Sequence, residues 1–368
     1  MSPHSFDRIL VLGAGKVGRT VADLLAEQST WQVTLADRSP PAGPCPGVAF
    51  EALDVQDGPA LARLLGRHQA VINALPFFLA THVADAAVAA GTHYLDLTED
   101  VAATRHIQAL ATRAHSVLMP QCGLAPGVIG LLGAAMAREF EVLHTLRLRV
   151  GALPRQACNA LRYNLTWSLD GLINEYSQPS EAIVQGRITR LQALEGLETL
   201  VLDGEAFEAF NTSGGLGTLC HSLQGKVQEL DYKSLRYPGH REAMHLLLHG
   251  LGLRDRPDLL RQVLEHAVPH SRDDRVIVFA SATGLRHGRL EQDDRLAQLQ
   301  GGLLAGTQRT AIELSTASGV VGALELLRRG LLPAKGFVGP DRIALDDFLG
   351  TRAGRYFSAL ASTAPSPR

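Results

Sequence analysis

Apolar runs and helical periodicities alternate along the first third of the chain. Arg8-Ile9-Leu10-Val11-Leu12 is the near-continuous apolar run that a strand buried on both faces requires. From Lys16 to Gln28 the apolar positions Val17, Val21, Leu24 and Leu25 recur at helical spacing. Strands are then predicted at Trp31–Ala36, at Val48–Val55 with Asp54 near its end, and at Ala70–Leu75, stopped by Pro76. An alanine-rich helix over Thr81–Ala90 ends at Gly91, and further strands follow at His93–Leu97 and Ser116–Met119. Strands that alternate with helices imply a doubly wound parallel α/β sheet of Rossmann type over residues 1–138.

The pattern changes after Glu139. Leu143–Val150 and Ala160–Leu165 alternate like exposed edge strands, and Ala182–Val201 holds strand-like segments broken by Gly186 and Gly196. Val276–Ala282 is another strand candidate, and helices are predicted at Arg241–Leu251, Asp258–Ala267 and Thr310–Arg329. Residues 139–308 therefore read as an α+β domain for substrate and dimerisation. A helix in 309–350 is expected to return to the first domain, and 351–368 reads as a Ser/Pro-rich tail.

Gly13-Ala14-Gly15-Lys16-Val17-Gly18 follows the first strand and opens the first helix. The first glycine permits the turn, the second lets backbone approach a pyrophosphate, and the third allows helix–strand packing. The helix N-terminus supplies free N–H groups and partial positive charge. Asp37 ends the second strand about 20 residues on, where a carboxylate can accept from the ribose hydroxyls of a dinucleotide. It would repel a 2′-phosphate, and Arg38 beside it can offset that repulsion, so NAD is the expected cofactor and NADP the alternative. Asp54 suits either adenine contact or capping of the next helix. Leu75-Pro76 lies where a loop passes the cofactor.

Composition narrows the classes. In 368 residues, a 46% hydrophobic content is normal for a globular protein, and the length suggests two domains. A net charge of −2 gives no electrostatic case for nucleic acid. Cys45, Cys122, Cys158 and Cys220 form no C-x-x-C pair and no zinc spacing, so they read as thiols of a reducing compartment, and no metal is expected. Met1–Asp7 lacks signal-peptide character, and the apolar stretches are broken before membrane length. A cytoplasmic homo-oligomer with a small amino-acid substrate is expected, without nucleic-acid or membrane partners.

Several phrases carry a resemblance. They are Val71-Ile72-Asn73-Ala74-Leu75-Pro76, Gly123-Leu124-Ala125-Pro126-Gly127, Thr212-Ser213-Gly214-Gly215 and Tyr232-Lys233-Ser234-Leu235-Arg236-Tyr237-Pro238-Gly239-His240. Together they resemble the saccharopine dehydrogenase-like family, which includes saccharopine reductase and lysine 6-dehydrogenase. The resemblance runs from about Arg8 to about Leu349. It implies oxidoreduction at a C–N bond of a lysine-derived side chain. Implied cofactor contacts are Gly13, Gly15, Lys16, Val17, Asp37, Arg38, Asp54, Leu75, Thr98, Leu124 and Pro126. Arg236 matches the family arginine that holds a substrate carboxylate, and Trp167 falls near an aromatic position at the cofactor. Saccharopine reductases usually carry aspartate where this chain has Ala125, which makes it look more like lysine 6-dehydrogenase.

Chemistry then asks for two groups. Arginine suits a carboxylate anchor because its planar fork binds bidentately. Removing hydride from an amine-bearing carbon requires the neutral amine, yet lysine's ε-amine has a pKa of ~10.4. A base is therefore needed, and His240, Glu175, Glu99 and Tyr237 are the candidates. Glu99 follows Thr98 at a strand's carboxyl end but can equally serve the next helix, and Glu175 can equally sit in a buried ion pair. Three readings stay open: a lysine 6-dehydrogenase-like amine dehydrogenase, a saccharopine-type reductase, and a non-catalytic dinucleotide-binding sensor.

Overall fold

A computed structural model describes residues 7–156 and 159–361 of the 368-residue chain. Cys158, the first six residues and the end of the Ser/Pro-rich tail lie outside the described residues. Two compact units emerge. One combines residues 7–131, 303–309 and 313–361, and the other is built mainly from 132–302.

In the first unit the apolar runs become parallel strands. These are β1 (Arg8–Leu12), β2 (Gln32–Asp37), β3 (Val48–Ala52), β4 (Ala70–Asn73), β5 (His93–Asp96) and β6 (Val117–Met119). Between them lie α1 (Lys16–Ala26), α2 (Gly58–Leu65), α3 (Ala80–Ala90) and α4 (Val101–Leu110). β1 pairs with β2 on one side and β4 on the other, both in parallel, so the strand order reverses direction beside β1. Dinucleotides bind at that switch point in open α/β sheets. Leu10, Leu12, Val71, Tyr94 and Leu118 from the strands pack with Val83, Ala87 and Ile107 from the helices in one core. The helix ends obey local chemistry. Asp57 and Asp100 cap α2 and α4 through side-chain oxygens, and Gly91 ends α3 at φ +69°.

After α5 (Val128–Arg138) the second unit forms a mixed sheet. Its members are β7 (Val142–Pro154), β8 (Ser180–Val184), β9 (Arg187–Leu191), β10 (Glu198–Leu202), β11 (Glu205–Asn211), β12 (Val227–Arg236), β13 (Asp274–Arg286) and β14 (Arg289–Gln300). Two sequence-based expectations fail here. β7 is a central strand, parallel to β12 and antiparallel to β13, and its second half is buried. Residues 160–165 form no strand, apart from an isolated bridge between Leu165 and His270. The helices are α6 (Leu169–Ser177), α7 (Leu219–Leu223), α8 (His240–His245) and α9 (Pro257–Ala267). α6, α8 and α9 give Leu172, Tyr176, Met244, Leu260 and Leu264 to a core shared with Tyr163 and Phe210. The chain returns through β15 (Gly302–Leu304), β16 (Thr307–Arg309) and α10 (Ala311–Arg328). Then β17 (Gly336–Phe337) pairs in parallel with β6 as the seventh strand of the first sheet. Among the described residues no helix is long and apolar enough to cross a membrane.

Candidate functional site

The glycine loop shows three different local requirements. Gly13 has φ +103°, and a Cβ there would meet the Ala74 carbonyl oxygen at 2.8 Å. A Cβ on Gly18 would lie 1.9 Å from the Gly13 carbonyl oxygen, so the helix–turn contact admits only hydrogen. Around Gly15 there is nothing within 4 Å. Gly15 is also the N-cap of α1 and offers no side chain to its first N–H groups, which are left for a ligand. Lys16 and Val17 open that helix, Lys16 exposed and Val17 half-buried. This cradle fits a pyrophosphate.

Asp37 sits at the end of β2 and turns towards the loop. Its Oδ2 accepts the Ala14 N–H at 2.7 Å, and its Oδ1 accepts the Ser39 N–H at 3.3 Å. Arg38 is exposed and has no ion-pair or hydrogen-bond partner among the described residues. Asp54 is exposed just beyond β3 and accepts the Gln56 N–H at 3.0 Å. The helix cap belongs to Asp57, so Asp54 does not serve that purpose.

The next two strand ends are tied together by Asp96. This buried carboxylate accepts the Thr98 N–H (3.0 Å), the Gln121 N–H (2.8 Å) and the Tyr94 hydroxyl (2.8 Å). Burial pushes its pKa up to about 6 against the pull of those donors. The carboxylate thereby fixes the segment Thr98-Glu99 and the start of the Gln121–Gly127 loop. Thr98 is buried and its Oγ1 accepts the Asp100 N–H at 3.2 Å. Leu124 and Pro126 are buried in the loop, and Leu75 is half-buried at the end of β4. Glu99 is half-buried, and no residue other than itself donates a hydrogen bond to its side chain among the described residues. Desolvation, followed by the charges of Asp100 and Asp96, pushes its pKa up to about 7.

The second unit holds a separate cluster. β12 ends at Arg236, and Tyr237-Pro238-Gly239 turns the chain into α8, with Gly239 at φ +97°. Glu208 of β11 fixes that turn by accepting the Gly239 N–H (2.9 Å) and the Arg241 N–H (2.5 Å). Arg236 is only 3% exposed. Its Nε donates to the Tyr176 hydroxyl at 2.8 Å and its Nη1 to the Leu235 carbonyl at 2.8 Å. Nη2 has no hydrogen-bond partner among the described residues. The guanidinium carbon stands 5.2 Å from the Tyr163 ring centre and 5.7 Å from that of Tyr176, within cation–π range. Trp167 Nε1 donates to the Tyr163 hydroxyl at 2.8 Å.

The proposed bases separate in this geometry. Tyr237, the first residue after β12, is engaged away from Arg236. Its hydroxyl donates to the Pro154 carbonyl at 2.8 Å and accepts from Arg275 at 2.9 Å. His240 is fully buried, and burial with Arg236 nearby drives its pKa down to about 3, so it stays neutral. This differs from the expected histidine that shuttles protons near neutral pH. Glu175 is buried on α6 and acts on Arg236 and Tyr176 through space. The sequence reading missed Tyr163 and Tyr176, because a tyrosine among apolar residues has no local signature distinguishing a site from a core. Among the described residues no group of three His, Cys, Asp or Glu is placed to hold a metal ion.

Comparison with known proteins gives a consistent picture. The described fold aligns with the apo saccharopine dehydrogenase (L-Glu forming) from Saccharomyces cerevisiae at a TM-score of 0.77 and 18% identity, covering 95% of this chain and 98% of that one. Saccharopine dehydrogenase (NADP(+), L-glutamate-forming) of Schizosaccharomyces pombe is 22% identical over 255 residues, 65% of this chain and 57% of the relative. The corresponding Saccharomyces cerevisiae protein is 25% identical over 264 residues, 67% of this chain and 58% of the relative. The alignments thus span less than two thirds of these relatives' own length. Residues 9–118 match the profile of the saccharopine dehydrogenase NADP binding domain, and residues 123–353 match that of the saccharopine dehydrogenase C-terminal domain. With both halves accounted for, the chain belongs to the saccharopine dehydrogenase family.

Proposed function

We propose that this protein is a nicotinamide-dinucleotide-dependent oxidoreductase that acts on a C–N bond at the end of a lysine-derived amino acid. One observation carries the reading: a buried guanidinium, Arg236, that among the described residues keeps a donor open and forms no ion pair. A buried charge is otherwise paired, so an anionic group on the substrate is its natural complement. The preferred reaction is oxidative deamination of a terminal amine, as in lysine 6-dehydrogenase, because a substrate with one carboxylate matches one open anchor.

The bound dinucleotide supplies the hydride acceptor; this chain's residues do the rest. The cradle at Gly13–Gly18 and Asp37 hold the nucleotide, and Arg236 seats the substrate carboxylate. Glu99, with its raised pKa and open carboxylate, takes the proton from the ammonium so that nitrogen has a lone pair when hydride leaves carbon. His240, being neutral and fully engaged, does not take that proton.

This assignment fixes a pH profile. Glu99 acts as a base only when ionised, so kcat/KM for lysine oxidation is expected to rise about tenfold per pH unit at first and to level off near about 7. Glu99→Gln is expected to abolish that bend and lower the rate by roughly 10²–10⁴. The measurement is the initial rate of NADH formation from lysine across about pH 6–10.5. A wild-type limb that climbs unbroken to ~10 removes Glu99 from the role, since the enzyme would then be selecting neutral amine from solution.

A second reading is favoured by the names of the curated relatives: saccharopine formation or cleavage, with glutamate as co-substrate. A strict requirement for glutamate in the reductive direction selects it. Absence of turnover with any amino acid, despite tight nucleotide binding, supports the sensor reading instead.

Asp37 supports NAD over NADP, because a 2′-phosphate next to its carboxylate is unfavourable. Asp37→Ala is expected to narrow the preference by removing that repulsion while Arg38 remains. Equal kcat/KM for the two cofactors in the unaltered protein contradicts the assignment.

A further inference from the structure

A guanidinium that receives a ligand carboxylate has to be fixed in direction without being neutralised. Other buried guanidinium groups of the second unit meet carboxylates: Arg149 with Asp231 at 2.9 Å and Arg295 with Asp293 at 3.1 Å. Arg236 is held differently. Its Nε–H donates to the Tyr176 hydroxyl at 2.8 Å, and that oxygen is 3.0 Å from His240 Nε2. His240 Nδ1 lies 2.7 Å from the Leu161 carbonyl oxygen. A carbonyl only accepts, so Nδ1 carries the imidazole proton and Nε2 is a bare lone pair. The tyrosine proton therefore points to His240, and the tyrosine oxygen presents its lone pairs to Arg236. Every bond in the chain runs in one direction, from Arg236 through Tyr176 and His240 to the backbone.

We propose that Tyr176 and His240 form a neutral holder that positions Arg236 for an anionic ligand, His240 acting as the Nδ1–H tautomer. The proposal rests on the reading of Arg236 as a carboxylate anchor. A phenol–imidazole pair orients the guanidinium while leaving its full charge to the ligand. A carboxylate in the same place would orient it equally well and compete with the ligand for it. Glu175 acts on Arg236 through space. His240 is thus a positioning residue rather than a base.

Two measurements test this. ¹⁵N-histidine NMR of the unaltered protein, with the His240 signal assigned through His240→Gln, is expected to show the neutral Nδ1–H tautomer between about pH 6 and pH 9. An imidazolium or an Nε2–H tautomer overturns the proposal. Calorimetry with NADH bound then compares L-lysine with pentane-1,5-diamine, which lacks the carboxylate. His240→Phe and Tyr176→Phe are each expected to weaken lysine binding about tenfold and to leave the diamine unchanged. His240→Gln, which keeps an acceptor, is expected to recover most of the loss. Tyr176→Phe, a smaller change, serves if His240→Phe does not fold. If Arg236→Ala weakens lysine while both phenylalanine variants match wild type, or weaken lysine and diamine alike, the holder is refuted and the anchor survives. If Arg236→Ala leaves lysine binding intact, the anchor itself fails and takes the holder with it.

Discussion

Alanine at Arg236 is expected to raise KM for the amino-acid substrate by about 30- to 5,000-fold, with nucleotide binding unchanged. The range corresponds to about 2–5 kcal/mol, the loss typical when one partner of a buried, hydrogen-bonded charge pair is truncated. Its size follows from the surroundings: water reaches this guanidinium poorly, and two tyrosine rings flank it. A substrate carboxylate deprived of its partner there would stay buried and unpaired. Arg236→Lys keeps the charge but loses the planar fork, so an intermediate loss is expected. Steady-state kinetics with each substrate varied in turn gives the answer. A normal KM and kcat in the alanine variant would remove Arg236 from the site.

Two glycines of the nucleotide loop are expected to fail in opposite ways. Gly18→Ala drives a methyl group into the Gly13 carbonyl, 1.9 Å away. Overpacking of this kind usually costs about 1–3 kcal/mol and more against backbone, so the melting temperature should fall by several degrees. Gly15→Ala meets open space at an ordinary extended φ of −68°. Its stability should stay within about 0.5 kcal/mol of wild type. Its methyl group nevertheless occupies the approach of the pyrophosphate, so nucleotide affinity should drop by at least about tenfold. Thermal melts and nucleotide titrations of both variants separate the two losses. Normal nucleotide binding by Gly15→Ala would mean that the loop is not the phosphate cradle.

The Rossmann half was legible because its signals are local. Ile9–Leu12 and Ala70–Ile72 are buried on both faces, which leaves unbroken apolar runs, and the glycine spacing reports backbone geometry directly. The second sheet hides its strands. β14 reads Arg-Leu-Glu-Gln-Asp-Asp-Arg-Leu-Ala-Gln-Leu-Gln, an edge strand whose charges form ion pairs on the sheet, so hydropathy alone does not reveal it. β7 alternates only in its first half and then becomes fully buried, so the half-exposed start misreads as an edge. At the site, Arg236 stood out through its turn phrase, whereas Tyr163 and Tyr176 gain meaning only from where α6 and the loop before it bring their rings. The roles of His240 and Tyr237 depended on burial and hydrogen-bond partners, which residue type does not report. Glu99 drew notice from its place at a strand's carboxyl end, and its raised pKa depends on desolvation that no local sequence pattern displays.

The pairing of β17 with β6 carries a consequence for biosynthesis. A ribosome releases the first six strands of this sheet early, yet the strand that covers the outer edge of β6 comes only after the whole second unit has been made. Until then β6 presents unsatisfied N–H and C=O groups, and the core lacks Phe337, which packs against it. The nascent N-terminal half therefore spends most of translation with a bare template for pairing with other chains, the condition in which chaperones are most needed. Closure depends on contacts between distant parts of the chain, so completion of this sheet is set by the slow step of loop closure rather than by the rapid formation of its helices.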